Sequence, residues 1–202
     1  MSKITFVYFD LGDVLFNWRN VLNNEFVTMS KKSPEKVWAA FTRHDDDACR
    51  GKITAQKLWE YLKTELGIKD DINNFVEWWA SGFSPIPLMH QLVEMTSKKY
   101  KVGILTNIYL EAWKHYAAHG LIPDVSYGAI VQSCEIGFMK PDIEIYKYAE
   151  SKAGVSPQEI LLIDNSRENI DKATELGWQT VWYDVTNPQK SIAEIKQVLE
   201  LN

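Results

Sequence analysis

Three apolar segments of the sequence each end in side chains that could take part in catalysis. Residues 4–9 are followed by Asp10, residues 101–105 by Thr106 and Asn107, and residues 160–163 by Asp164 and Asn165. If these segments are parallel neighbours in a sheet, their carboxyl ends meet at the edge where open α/β sheets bind ligands. A fourth group, Lys140, stands in a loop that enters a helix and can reach the same edge.

Two carboxylates, a hydroxyl and a lysine are the groups needed to transfer a phosphoryl group to a side-chain carboxylate. Asp10 would attack phosphorus and form an aspartyl phosphate. A divalent cation would reduce the repulsion between carboxylate and phosphate, and Mg²⁺ prefers such oxygen ligands. Lys140 and Thr106 would then neutralise and hydrogen-bond the phosphoryl oxygens.

Each of these residues also has a purely structural interpretation. Asp10 and Asp164 could cap turns, Thr106 could cap the following helix, and Lys140 could be a solvated loop residue. Asn107 could hydrogen-bond its own turn, although we include it among the substrate-contacting residues. The occurrence of all these groups at predicted strand ends or a helix entry favours the functional interpretation.

Two other features favour a structural interpretation from sequence. The acids at positions 45–47 are contiguous, which suits a solvated loop and no common metal geometry. Five of the eight tryptophans lie in or beside residues 17–84, where large side chains would help a small helical core to bury area. A stacking platform for a sugar is the alternative for these rings.

The pattern of elements predicts an α/β protein with a Rossmann-like parallel sheet. Beyond residue 85, continuous apolar runs alternate with amphipathic helical segments, as in βαβ units. From about residue 21 to residue 80 the periodicity is helical throughout. We therefore predict a core formed by residues 1–16 and 85–202, and a small helical domain formed by residues 17–84.

Composition limits the function further. The 202 residues carry a formal charge of −5, which argues against a nucleic-acid partner. No apolar stretch approaches the roughly 20 residues of a membrane span, and no signal peptide is recognisable. Two distant cysteines favour reduced thiols in a cytoplasmic protein. The expected partner is a small phosphorylated metabolite, and the oligomeric state is undetermined.

Taken together, the four segments resemble the four motifs of the haloacid dehalogenase (HAD) superfamily. They are Asp10-Leu11-Gly12-Asp13-Val14, Leu105-Thr106-Asn107, Lys140-Pro141-Asp142 and Leu162-Ile163-Asp164-Asn165. Their order and spacing match, and nearly the whole chain is covered. Residues 51–54 and 133–146 look most similar to sugar-phosphate phosphatases related to α-glucose-1-phosphate phosphatase.

The resemblance implies a Rossmann-like core, a mobile helical cap and magnesium-dependent hydrolysis of a small phosphomonoester, such as a sugar phosphate or a nucleotide. It makes Asp10 the nucleophile and places the phosphate on Thr106 and Lys140. The implied metal ligands are the Asp10 carboxylate, the Gly12 carbonyl, Asp164 and Asn165.

Two positions depart from the pattern of the superfamily. Gly12 stands where the general acid and base is usual, and the nearest acid, Asp13, is one residue further on. We include Asp13 among the catalytic candidates. Asn165 replaces a second acid and brings no charge to the metal. These departures support an alternative, a non-catalytic binding protein with the same fold. A metal-independent 2-haloacid dehalogenase is a further alternative, against which Asp164 argues.

Overall fold

The computed structural model describes residues 3–201. Its strands are β1 (Phe6–Phe9), β2 (Phe16–Asn17), β3 (Ser84–Pro85), β4 (Lys101–Thr106), β5 (Ala129–Gln132), β6 (Ile160–Asp164) and β7 (Gln179–Trp182). Its α-helices are α1 (Val27–Ser30), α2 (Pro34–Cys49), α3 (Ala55–Leu66), α4 (Phe75–Ser81), α5 (Pro87–Ser97), α6 (Ala112–Ala118), α7 (Ser133–Ile136), α8 (Ile143–Ala153), α9 (Arg167–Glu175) and α10 (Pro188–Val198). A π-helical segment, Val21–Phe26, precedes α1, and a 3₁₀ turn, Pro157–Glu159, precedes β6. Within the described range, none of the helices is both long and apolar enough to cross a membrane.

Five strands form one parallel sheet in the order β5-β4-β1-β6-β7. Phe9, the last residue of β1, is aligned with Ile104 on one side and Ile163 on the other. Asp10 and the carboxyl ends of β4 and β6 therefore emerge at the same edge of the sheet. This arrangement confirms the predicted Rossmann-like α/β fold and the predicted convergence of the strand ends.

The central strand is buried on both faces, which explains its uninterrupted apolar sequence. Side chains alternate between the faces of a strand. Accordingly, Val7 and Phe9 pack in one hydrophobic cluster, and Phe6 and Tyr8 pack in the other. Burial on both faces holds β1 rigidly, so the position of Asp10 is set by the core.

The segment between β2 and β3 is helical, as the periodicity predicts, and we call it the helical insertion. Thr54 caps α3 by accepting from the Lys57 amide at 3.1 Å, and Gly67 ends that helix with φ of 68°. Acids such as Asp70 and Asp71 are typical of a helix N-terminus, but the next helix begins further on. The helix α4 starts at Phe75 because the Asn74 side chain caps it, accepting from the Glu77 amide at 3.2 Å.

The insertion leaves and re-enters the core through a short antiparallel pair. Phe16 in β2 is aligned with Pro85 in β3, and Asn17 with Ser84. The Ile86 amide donates to the Leu15 carbonyl at 2.8 Å and extends this pairing. One hydrophobic cluster continues from the sheet into the helical insertion. The predicted domain limits at residues 16–17 and 84–85 coincide with the paired strands β2 and β3. The limits themselves stay a prediction.

Candidate active site

Asp10 lies directly beyond β1, and its amide donates to the Ile163 carbonyl of β6 at 3.0 Å. The chain then folds back in a tight turn, in which the Leu15 amide donates to the Leu11 carbonyl at 2.7 Å. Hydrogen bonds of the strand on one side and the turn on the other orient Asp10. Its side chain is 13% exposed and lines a cavity between the core and the helical insertion.

Lys140 is buried between two carboxylates. Its Nζ lies 2.9 Å from Asp10 Oδ1 and 2.6 Å from Asp164 Oδ2, and the lysine side chain is only 1% exposed. Burial by itself would lower the pKa of Lys140, but the charges of Asp10 and Asp164 together raise it. Burial also raises the pKa of Asp10, against the attraction of Lys140. Lys140 therefore stays cationic and beside the candidate nucleophile.

Asn107 holds the backbone of Lys140 from both sides. The Asn107 side chain donates to the Lys140 carbonyl at 2.9 Å and accepts from the Lys140 amide at 2.8 Å. The sequence predicted a substrate contact for Asn107, and its place on the cavity leaves that prediction open. Its observed hydrogen bonds position Lys140. The neighbouring Thr106 is 2% exposed and also lines the cavity.

Asp164 lies behind the cavity surface. One of its oxygens accepts from the Ser166 amide at 2.8 Å, and Asn169 Nδ2 lies 3.1 and 3.2 Å from the two oxygens. Together with Lys140, these donors surround a carboxylate that is fully buried. Asn165, the next residue, does line the cavity, and its carbonyl accepts from the Trp182 indole at 2.8 Å.

The oxygen donors along this edge suit a hard cation. Asp10, Gly12 and Asn165 line the same cavity and offer a carboxylate, a backbone carbonyl and an amide oxygen. Residues 3–201 contain no cluster of three or more His, Cys, Asp or Glu side chains placed to hold a metal. Mg²⁺ does not require one, since it keeps several waters and takes further ligands from substrate phosphate. The residues present thus fit magnesium, and Asp10 would be its charged ligand on the cavity.

A side chain at Gly12 would be in tight contact with Trp18. A Cβ atom there would lie 3.0 Å from the indole nitrogen of Trp18. The following residue, Asp13, adopts φ of 59°, and its carboxylate pairs with Arg19. Asp13 is absent from the cavity lining, whereas Arg19 is part of it. The catalytic role of Asp13 remains a prediction.

The cavity has a volume of about 370 Å³ and two chemically different sides. We call the first the polar edge; its residues are Asp10, Gly12, Thr106, Asn107, Lys140, Asn165, Ser166 and Asn169. We call the second the aromatic wall; its residues are Phe16, Trp18, Phe41, Trp79, Phe83, Tyr109 and Tyr116. Rings of the wall pack on one another, with centroids of Phe16 and Phe83 5.2 Å apart and of Phe41 and Trp79 5.7 Å apart. Further ring contacts connect these pairs, so all rings of the wall except that of Tyr109 form one packed cluster.

The cavity residues that were not predicted as site residues include Asn169, Arg19 and Asp45. Asn169 faces Asp164 from the first turn of α9, a position that helical spacing from the strand end could have revealed. Arg19 lines the cavity and forms an ion pair with Asp13. Asp45 also lines the cavity, which corrects its interpretation as part of a solvated loop: it lies within α2, and only its neighbours Asp46 and Asp47 are exposed. Adjacent residues on a helix face different directions, so one acid of the run is turned inward.

Comparison with known proteins gives relatives across most of the chain. The sesquiterpene phosphatase astK of Aspergillus oryzae is 23% identical over 195 residues, which cover 95% of this chain and 94% of the relative. Bifunctional epoxide hydrolase 2 of Mus musculus is 23% identical over 115 residues, and the match spans 55% of this chain but only 20% of that protein. A mutant HAD family enzyme, bt-2542 of Bacteroides thetaiotaomicron, was solved in complex with magnesium and inorganic phosphate. It is 23% identical, covers 90% of this chain and 95% of its own, and has a TM-score of 0.73.

The family model of haloacid dehalogenase-like hydrolases matches residues 6–177. This range contains all four motifs, the sheet edge that carries Asp10 and the helical insertion. The structural likeness shows the same fold over nearly the whole chain. The protein belongs to the haloacid dehalogenase-like hydrolase family.

Proposed function

We propose that this protein is a magnesium-dependent phosphatase that hydrolyses a small phosphomonoester through an aspartyl phosphate on Asp10. The observation that carries the proposal is the Asp10–Lys140–Asp164 cluster at the carboxyl edge of the sheet, with Asp10 open to the cavity. A relative named as a phosphatase and a fold neighbour solved with magnesium and phosphate support it.

The first step transfers the phosphoryl group to the protein. The Asp10 carboxylate attacks phosphorus, the bond from phosphorus to the leaving oxygen breaks, and the leaving oxygen takes a proton from water and departs as the alcohol. Lys140 and Thr106 stabilise the charge on the phosphoryl oxygens. Water then attacks the aspartyl phosphate, which releases inorganic phosphate and restores the Asp10 carboxylate.

In this proposal Asp10, the Gly12 carbonyl and Asn165 hold magnesium. The bound cation would screen the repulsion between Asp10 and the phosphate and polarise the phosphoryl oxygens. Asp164 was predicted as a further ligand. Its hydrogen bonds with Lys140 and Asn169 give it a second role, which is to hold the lysine beside Asp10.

Two features favour a second candidate, a phosphoryl-binding protein without turnover. The Trp18 indole fills the space beside Gly12, and Asp13 is paired with Arg19, so the cavity contains no acid at either of these positions. The amide of Asn165 adds no charge to the metal site. This candidate predicts binding of phosphate and magnesium but no release of product.

The test is hydrolysis of p-nitrophenyl phosphate and of a panel of phosphomonoesters, with Mg²⁺ or with EDTA. The wild-type protein is expected to hydrolyse these substrates only in the presence of Mg²⁺. Asp10→Asn is expected to lose at least about 10³-fold in kcat, because it removes the nucleophile. The matched control Asp47→Asn changes an exposed acid of α2 and is expected to retain wild-type rates. Binding of magnesium and phosphate without turnover of any substrate would favour the second candidate.

A further inference from the structure

Asp45 is a carboxylate on the cavity without a cationic partner. Its oxygens accept from the Tyr109 hydroxyl and, at 3.8 Å, from the Cys49 thiol. The two cations of the cavity are engaged elsewhere: Lys140 with Asp10 and Asp164, and Arg19 with Asp13. Among the ion pairs of residues 3–201, Asp45 has none.

An unpaired carboxylate in such a place destabilises the empty protein. Charged groups that lose water without gaining an opposite charge are unfavourable, and they are usually paired. Burial accordingly raises the pKa of Asp45 to about 6, although the hydrogen bond from Tyr109 opposes this. At neutral pH the group is still mostly ionised, so a cation that entered the cavity would find a ready partner.

The surroundings of Asp45 also favour a cation. The aromatic wall borders the same cavity, and the faces of tryptophan, tyrosine and phenylalanine attract ammonium groups when water is excluded. Trp18 of this wall already contacts a cation, since the Arg19 guanidinium lies 5.1 Å from its ring centre. A carboxylate together with several aromatic rings is a typical binding site for an alkylammonium group.

We propose that the substrate is a phosphomonoester whose leaving group carries an alkylammonium, bound by Asp45 and the aromatic wall while its phosphate occupies the polar edge. This inference rests on the proposed phosphatase function and specifies the class of its substrate. The cavity volume of about 370 Å³ suits a small molecule of this kind. A sugar phosphate fits less well, because its hydroxyl groups need several hydrogen-bond partners and the aromatic wall supplies mostly rings.

The test compares two substrates of nearly equal shape. Phosphocholine carries a trimethylammonium group, and 3,3-dimethylbutyl phosphate replaces its nitrogen by carbon and has no charge there. Wild type is expected to prefer phosphocholine by about tenfold or more in kcat/KM. Asp45→Asn keeps the shape of the side chain but removes its charge, and it should abolish most of this preference.

Asp46→Asn is the matched control, because it removes the same charge from the neighbouring, exposed position of α2. It is expected to keep the wild-type preference. Equal rates for both substrates in wild type, or a preference that Asp45→Asn leaves intact, would overturn the inference. A marked preference for sugar phosphates over both substrates would overturn it as well.

A binding measurement separates this inference from the proposed function. If no phosphomonoester is hydrolysed, calorimetric titration with the same two compounds in the presence of Mg²⁺ tests whether Asp45 binds the cation. Tighter binding of phosphocholine, lost in Asp45→Asn, would support the cation site and reject the phosphatase. Release of phosphate from p-nitrophenyl phosphate without any preference between the two compounds would reject the cation site alone.

Discussion

Single side chains decide which chemistry the cavity can support. The space beside Gly12 illustrates this, because the Trp18 indole occupies the volume that a side chain at position 12 would need. A side chain at position 12 would require the Trp18 indole to shift by a few tenths of an ångström, so an acid there would be in tight contact with this ring. The proton that the leaving group needs must come from elsewhere in the cavity or from water.

Asp45 gives a prediction at the same scale. Its pKa is raised to about 6 by burial, with Tyr109, Cys49 and Asp46 as its titratable neighbours. Since its pKa in the unfolded chain is about 3.9, the folded protein binds more protons between these values. The wild-type protein therefore loses stability as pH rises from about 4 to 6.

Asp45→Asn is expected to remove this loss. Relative to wild type, the variant should gain up to about 3 kcal/mol in free energy of unfolding between pH 4 and pH 7, since a difference of one in pKa corresponds to about 1.4 kcal/mol. Urea unfolding at both pH values measures it. Asp47→Asn, at an exposed position of α2, should show no such gain, and a difference between Asp45→Asn and wild type that stays constant with pH would contradict the assignment.

At the scale of elements, the loop before α8 is held by two neighbouring parts of the structure. Asn107, beyond β4, makes two hydrogen bonds with the Lys140 backbone. Arg50, at the end of α2, makes a two-pronged pair with Asp142, whose carboxylate also accepts from the Met139 amide at 3.1 Å. The loop that carries Lys140 is therefore fastened to both the sheet and the helical insertion.

Asn107→Ala is expected to loosen this loop. It removes both hydrogen bonds and should lower kcat by about 10–100-fold, because small displacements of a catalytic group are costly to the reaction. The free energy of unfolding should fall by about 1–3 kcal/mol. Steady-state kinetics and urea unfolding measure the two effects. The control Asn73→Ala alters an exposed asparagine, and an equally small effect of both variants on kcat would argue against the positioning role.

The whole molecule brings two separate surfaces to one cavity. The polar edge comes from the sheet and the loops that follow its strands, whereas much of the aromatic wall comes from the helical insertion. Phe41 and Trp79 belong to α2 and α4, and Tyr116 belongs to α6 on the core side. A ligand that touches both surfaces should hold the insertion against the core.

The polar edge predicts that phosphate and Mg²⁺ stabilise the protein jointly, because both would bind beside Asp10. Inorganic phosphate with Mg²⁺ at about 100 times the dissociation constant should add about 2.7 kcal/mol to the free energy of unfolding. For a chain of this length that is about 5–10 °C in Tm. Differential scanning calorimetry with phosphate, Mg²⁺, both, or both plus EDTA measures it. A full shift from phosphate alone would contradict the joint site.

Local patterns in the sequence determined the sheet and which residues stand at its carboxyl edge. Apolar runs with polar ends made it possible to predict that Asp10, Thr106 and Asp164 meet at one edge, because parallel strands buried on both faces leave few other arrangements. The caps of α3 at Thr54 and Gly67 are equally local, because each depends on a single residue at one end of the helix.

Only the tertiary structure decided which groups share the cavity. The filling of the space beside Gly12 by Trp18, the pairing of Asp13 with Arg19 and the inward orientation of Asp45 depend on how the helical insertion packs against the core. Asp45 and Tyr109 are 64 positions apart in sequence yet share a hydrogen bond. Contacts of this kind are determined by three-dimensional packing, and the periodicity of a single segment carries no information about them.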